Sequence, residues 1–129
     1  MATGLAAASA NAILDAFCRS VVWSEPASFN VKLHLADPGA AGTTSPATET
    51  TRKAITFSAA GSGAITNSGA VSWTSYPAAE TVTHVSFWDD ISAGNFIGSD
   101  ALNTSRTPGI GDTLTLAAGD LDLSLTIAA

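Results

Sequence analysis

Glu80-Thr81-Val82-Thr83-His84-Val85-Ser86-Phe87-Trp88-Asp89 runs for ten residues without a Gly, Pro or Asn. Its β-branched and aromatic side chains at period two predict a strand. Val82, His84, Ser86 and Trp88 fall on one face, and Thr81, Thr83, Val85 and Phe87 on the other. Bulk on both faces near the end predicts a central strand, covered on both sides. Downstream, Asp90 to Asn95 reads as a hairpin-type turn and Phe96 to Leu102 as an antiparallel return. Upstream, Phe29, Val31, Leu33 and Leu35 alternate with Asn30, Lys32, His34 and Ala36. Asp37-Pro38-Gly39 ends that strand, since Pro presets φ, Gly supplies positive φ and Asp bonds the backbone ahead.

Further strands follow from the same pattern. Arg52 to Ser58 alternates around Ile55 and Phe57, and Ala64–Asn67 and Ala70–Trp73 flank an Asn-Ser-Gly turn. Thr113–Leu116 precedes a turn at Ala117-Ala118-Gly119-Asp120, and Leu121–Ile127 places four apolar residues on one side and Asp122, Ser124 and Thr126 on the other. Residues 40–50 form a polar loop with no period. About seven to eight short strands with closely spaced turns predict an all-β fold, an antiparallel β-sandwich or small barrel. The one helix predicted covers Ala6–Arg19, with Thr3 as N-cap, Asp15 and Arg19 as an i,i+4 pair, and a narrow packing stripe through Leu5, Ala8, Ala12, Ile13, Ala16 and Phe17. The expected organisation is an N-terminal helix or arm over residues 1–24 and a β-sandwich domain over 25–129.

Composition narrows the function. The chain has 129 residues, a net charge of −6 and only 12% charged side chains. Five basic residues against eleven acidic ones exclude a broad nucleic-acid footprint and disfavour an anionic membrane surface. Cys18 is the single cysteine, so no intramolecular disulfide forms and a cytoplasmic site of synthesis is expected. A near-uncharged surface suits close, repeated contacts between subunits, because a charge buried there must be paired.

Reactive groups are sparse. His34 and His84 are the only imidazole bases, both inside strands, and no G-x-S-x-G elbow occurs. They are expected to be structural, and Cys18 an inert thiol beside Arg19. Asp89-Asp90 and Asp120-Leu121-Asp122 offer oxygens without the spacing of a calcium loop, and Gly61-Ser62-Gly63 lacks the remainder of a phosphate loop. No enzyme, no catalytic, cofactor-binding or metal residue and no cofactor is therefore expected. Trp23, Trp73, Trp88 and Tyr76 are candidates for a sugar-stacking platform, or for core.

Several segments carry a resemblance: Lys32-Leu33-His34-Leu35-Ala36-Asp37-Pro38-Gly39, Gly42-Thr43 with Glu49 before Arg52, and Val82-Thr83-His84-Val85-Ser86-Phe87-Trp88-Asp89. Gly111-Asp112-Thr113-Leu114 leading to Ala118-Gly119-Asp120-Leu121, and Ile13-Leu14-Asp15-Ala16-Phe17, add to it. Through them the chain resembles a family of small bacteriophage virion proteins, capsid-decorating or tail-fibre-like. The resemblance implies a structural virion protein and no reactive site. Its first implication is a capsid-decorating or cement protein on the outside of the head, bound to the major capsid protein. Copies of itself are the other partner implied, as a homo-oligomer matched to shell symmetry, a trimer for example. Its second is a tail- or fibre-associated protein, and a carbohydrate-binding module is the third alternative. The helix and the connector 20–28 either dock on the particle or close one end of the sandwich.

Overall fold

Val82, Val85 and Phe87 are all buried in one core, although strict alternation assigns Val82 to the opposite face. A bulge is the reason. The computed structural model, which describes residues 3–128, pairs Val82 with Arg106 and His84 with Ala101. The neighbouring strand thus runs through residues 102–105 opposite Thr83 alone. Such an irregularity kinks the ladder and turns one side chain over. The expectation that Val82 shares a face with His84, Ser86 and Trp88 is corrected accordingly.

The elements in chain order are β1 (Gly4–Leu5), α1 (Ala7–Arg19), β2 (Phe29–His34), β3 (Lys53–Ile55), β4 (Ala64–Thr66), β5 (Val71–Trp73), β6 (Val82–Trp88), β7 (Phe96–Arg106), β8 (Leu114–Leu116) and β9 (Asp122–Ser124). Five strands make one antiparallel sheet in the order β1-β7-β6-β2-β3, with β6 inside it as predicted. β4 pairs with β9, and β5 with β8, both antiparallel. The fold is all-β with one N-terminal helix, a sandwich whose layers meet through Val31, Leu33, Val85 and Phe87 on one side and Trp73, Leu114, Leu116 and Leu121 on the other.

The second layer owes its continuity to Asn67. Ala64↔Ser124 and Thr66↔Asp122 on one side, and Val71↔Leu116 and Trp73↔Leu114 on the other, are stretches of a single antiparallel ribbon interrupted at 67–70 and 117–121. The buried Asn67 side chain fills the interruption: Nδ2 donates to the carbonyls of Gly69 (2.8 Å) and Ala117 (3.0 Å), and Oδ1 accepts from the amides of Gly119 (2.9 Å) and Leu121 (3.0 Å). Its backbone adds bonds to the amide of Gly119 and the carbonyl of Leu121, each 3.0 Å. Gly119 makes the turn at φ 87°, a conformation that favours glycine.

The layers are tied at both flanks. Past β3 the chain leaves the five-stranded sheet and joins the ribbon, where Phe57 bridges to Asn67 and the Phe57 ring meets Phe29 edge-on at 5.2 Å. On the opposite flank Arg106 pairs with Asp120 at 2.7 Å, and the Asp122 amide donates to Asp100.

Three further expectations are revised. β9 is short, because its partner β4 begins only after the Gly61–Gly63 turn; Leu125 and Ile127 lie beyond the ladder and are exposed. Thr3 does not cap α1. Gly4 and Leu5 are taken into the sheet opposite Ser99 and Gly98, so the N-cap falls to Ala6, which makes no side-chain bond. Phe17 leaves the packing stripe and is 88% exposed. The Asp15–Arg19 pair forms at 3.0 Å.

Asn67→Ala is expected to cost about 3 kcal/mol, since it strands several buried backbone groups at once. Urea denaturation at unchanged m-value measures it; a loss below about 1 kcal/mol contradicts the role given to this side chain.

Candidate functional site

The outer face of the central sheet carries the only arrangement among the described residues that resembles a nucleophile and its base. β2 and β6 set His34 directly opposite His84, and Ser86 two residues further along β6. His34 Nε2 lies 2.8 Å from Ser86 Oγ, and Nδ1 lies 2.8 Å from the Thr44 carbonyl. Trp88 Nε1 donates to the same Ser86 oxygen at 2.8 Å. Since a carbonyl only accepts, Nδ1 carries the proton; Ser86 then donates to Nε2. Burial favours the neutral imidazole, and both of its ring nitrogens are bonded. Neither His34 nor Ser86 has any exposed surface, so no substrate reaches the pair. Loop 37–46 closes over it: Thr44 N bonds the Pro38 carbonyl, Leu35 N bonds the Ser45 carbonyl, and Gly42 packs against the Phe96 ring. A Cβ at Gly42 has no room there, and its φ of 71° favours glycine as well.

The aromatic residues separate. Trp73, Tyr76 and Trp88 are buried. Trp73 Nε1 donates to the Thr51 carbonyl at 2.7 Å, and the Tyr76 hydroxyl to Glu80 at 2.7 Å; burial and the adjacent carboxylate push the Tyr76 hydroxyl pKa up. Trp88 is covered by Phe96 and by the Arg52 guanidinium, 4.1 Å from its ring centre. Only Trp23 of the four is partly open, at 38%, so they form no shared platform.

The acidic pairs serve turns. Asp89 accepts from the Asn95 amide and side chain, and Asp90 from the amides of Ser92 and Ala93. Asp120 accepts from Arg106 and from the Ala117 amide. No group of three or more metal-ligating side chains occurs among the described residues. Cys18 is a free thiol on the exposed side of α1.

The densest group of exposed large apolar side chains among the described residues is N-terminal, from Leu14 to Trp23. No residue of α1 is buried. Its inner side, with Leu5, Ile13 and Trp23, faces Phe29, Ile65 and Leu123 across an apolar groove of about 280 Å³. On its outer side and in the connector, Leu14 is 58%, Phe17 88% and Val22 95% exposed. Large apolar groups gathered this densely on a small domain mark an interaction surface. Sequence periodicity found the helix but turned Phe17 inward; the signal it offered for the outer face was the three-residue step from Leu14 to Phe17.

A small antiparallel β body thus carries an exposed apolar helix, and its His34–Ser86 pair is enclosed. Residues 4–124 match the family model described as podophage GP4 fiber I protein gp80. The chain belongs to that family, and it is a structural protein of a phage virion. No curated protein matches it.

Two titratable groups, the buried His34 and the half-buried Asp100, give stability opposite pH slopes. Burial lowers the His34 pKa, assisted by the nearby Lys32 and His84 and opposed by the Thr44 carbonyl. Below about pH 6.5 the unfolded chain therefore binds a proton that the folded chain refuses, and stability falls as pH falls. Burial, with the Asp122 charge, raises the Asp100 pKa from 3.8 to about 6. Between those values the folded state holds the extra proton, so stability falls as pH rises and is lower throughout above 6. Asp100→Asn is expected to stabilise the protein at pH 7.5 by about 1 kcal/mol after solvent screening, and to steepen the loss between pH 6.5 and 5. Thermal midpoints of both proteins across pH 4–8 check the two signs.

Proposed function

We propose that this protein is a non-enzymatic structural subunit of the phage fibre apparatus, mounted through the apolar face of α1 and the connector 20–28. The exposure of Leu14, Phe17 and Val22 on a domain whose core is otherwise closed carries this reading. Family membership supports the fibre rather than the shell, because the fibre is what the matching description names. The β body is suited to the task. Its polar groups are internally bonded, with no buried side-chain nitrogen or oxygen left unpartnered among the described residues. A body satisfied in this way resists local opening.

A subunit mounted on neighbours needs an attachment surface that costs little to desolvate. α1 meets that requirement: its two charged residues, Asp15 and Arg19, pair with each other, and the rest of the helix is Ala, Ser, Asn, Cys and apolar side chains. The His34–Ser86 pair supports the absence of catalysis, since a nucleophile enclosed by loop 37–46 has no approach for substrate.

Immunogold labelling of purified virions is expected to mark the tail or its fibres, with few copies per particle by quantitative gel densitometry. Label over the whole head at hundreds of copies makes the protein a shell-decorating protein bound to the major capsid protein instead. Val22→Asp is expected to leave the thermal midpoint unchanged and to deplete the protein from particles.

A further inference from the structure

Ala7, Ala10, Leu14 and Phe17 recur at steps of three, four and three residues within α1, the spacing of a helix–helix seam. Ser9 and Ile13 line the groove toward the body, while Ala7, Leu14 and Phe17 are exposed on the other side and Ala10 is half-buried at its edge. We infer that this outer seam of α1 packs against the same seam of a second copy, antiparallel, as a two-fold interface. The inference rests on the assembly role given to this face and names its partner.

Two observations select that occupant. The spacing fits a helix, and α1 is the only helix among the described residues. Side-chain size runs from Ala at the start of the seam to Leu and Phe at its end. Antiparallel pairing sets Ala7 of one copy against Phe17 of the other, and Ala10 against Leu14, so each of four layers joins a small residue to a large one. Parallel pairing stacks Phe17 on Phe17 and leaves Ala facing Ala. A self-complementary patch of this kind closes with two-fold symmetry. Charge is compatible with it. Residues 1–24 hold one acid and one base, Asp15 and Arg19, so the whole net charge of −6 lies in residues 25–129. Two copies, each with a charged body, meet at the N-terminal segment without net charge.

A 13-residue helix offers less area than a standard interface, so a dissociation constant on the order of 10 μM is expected. Sedimentation equilibrium of the full chain at pH 7.5 is expected to show a reversible monomer–dimer equilibrium in this range. Leu14→Lys and Phe17→Lys are each expected to weaken it at least about tenfold with an unchanged far-ultraviolet spectrum, whereas Ile110→Lys, at an exposed apolar site off the helix, leaves it intact. Orientation is read independently on the unmutated chain through spin labels on its single cysteine. With the layers above, the two Cys18 residues lie twelve helical steps apart along the axis, about 20 Å in all with the interhelical spacing, against about 10 Å for parallel pairing. A chain that is monomeric at 500 μM, a dimer indifferent to both lysine variants, or a short Cys18–Cys18 distance overturns the inference. Each of these outcomes leaves the fibre placement, which is read from labelled virions, standing.

Discussion

Two-stranded ribbons are marginal in water on their own, and the second layer of this protein is built from two of them joined at one side chain. Asn67 stands where the chain breaks register between β4 and β5, facing the turn between β8 and β9. An amide is the one short side chain that offers two donors and an acceptor with two lone pairs. Here all four bonds are made, to groups that the interrupted ladder leaves unpaired. With the ladder continuous, Trp73, Leu114, Leu116 and Leu121 present one apolar face to the sheet. The core, the flanking Arg106–Asp120 pair and the path of β9 along β7 all depend on that splice.

The strands themselves were legible because side-chain period is local. β2, β5, β6 and β8 fall where alternation and turn chemistry place them, and β7 continues past its expected end. What escaped was long-range. Asn67 looks like one more turn asparagine, since Asn-Ser-Gly favours turns whatever lies across from it. The Val82 bulge is invisible because its cause is four residues on another strand. β1 is two residues long, too short for any period, and exists because β7 offers Ser99 and Gly98 as an edge. A Cβ at Gly98 would lie 2.8 Å from the Gly4 carbonyl oxygen, so the absence of a side chain there admits the added strand.

The polar cluster was legible as chemistry and not as geometry. Two strand histidines predict hydrogen-bonded structural residues, and His34 is one. Its partner serine, the tryptophan that shares that serine and the loop that seals all three come from separate segments. Spacing cannot bring them together, because loop 37–46 has no period of its own. The aromatics obey the same logic: rings look alike in sequence, and burial sorts Trp73 and Trp88 from Trp23.

Low charge links the two ends of the problem. Spread evenly, a net charge of −6 would keep copies apart and a surface of small residues would carry no address. It is not spread evenly. The body holds all of it, and the first 24 residues cancel to zero through Asp15 and Arg19. In the proposed two-fold interface, repulsion between bodies and apolar attraction between helices would act on different surfaces, so association would be directed rather than general. That separation needs α1 to stay outside the core, which its alanines permit: they keep the helix formed without demanding burial. A leucine-rich helix at the same place would fold down over the groove beside Phe29 and Leu123, and the outer seam would vanish into the sandwich.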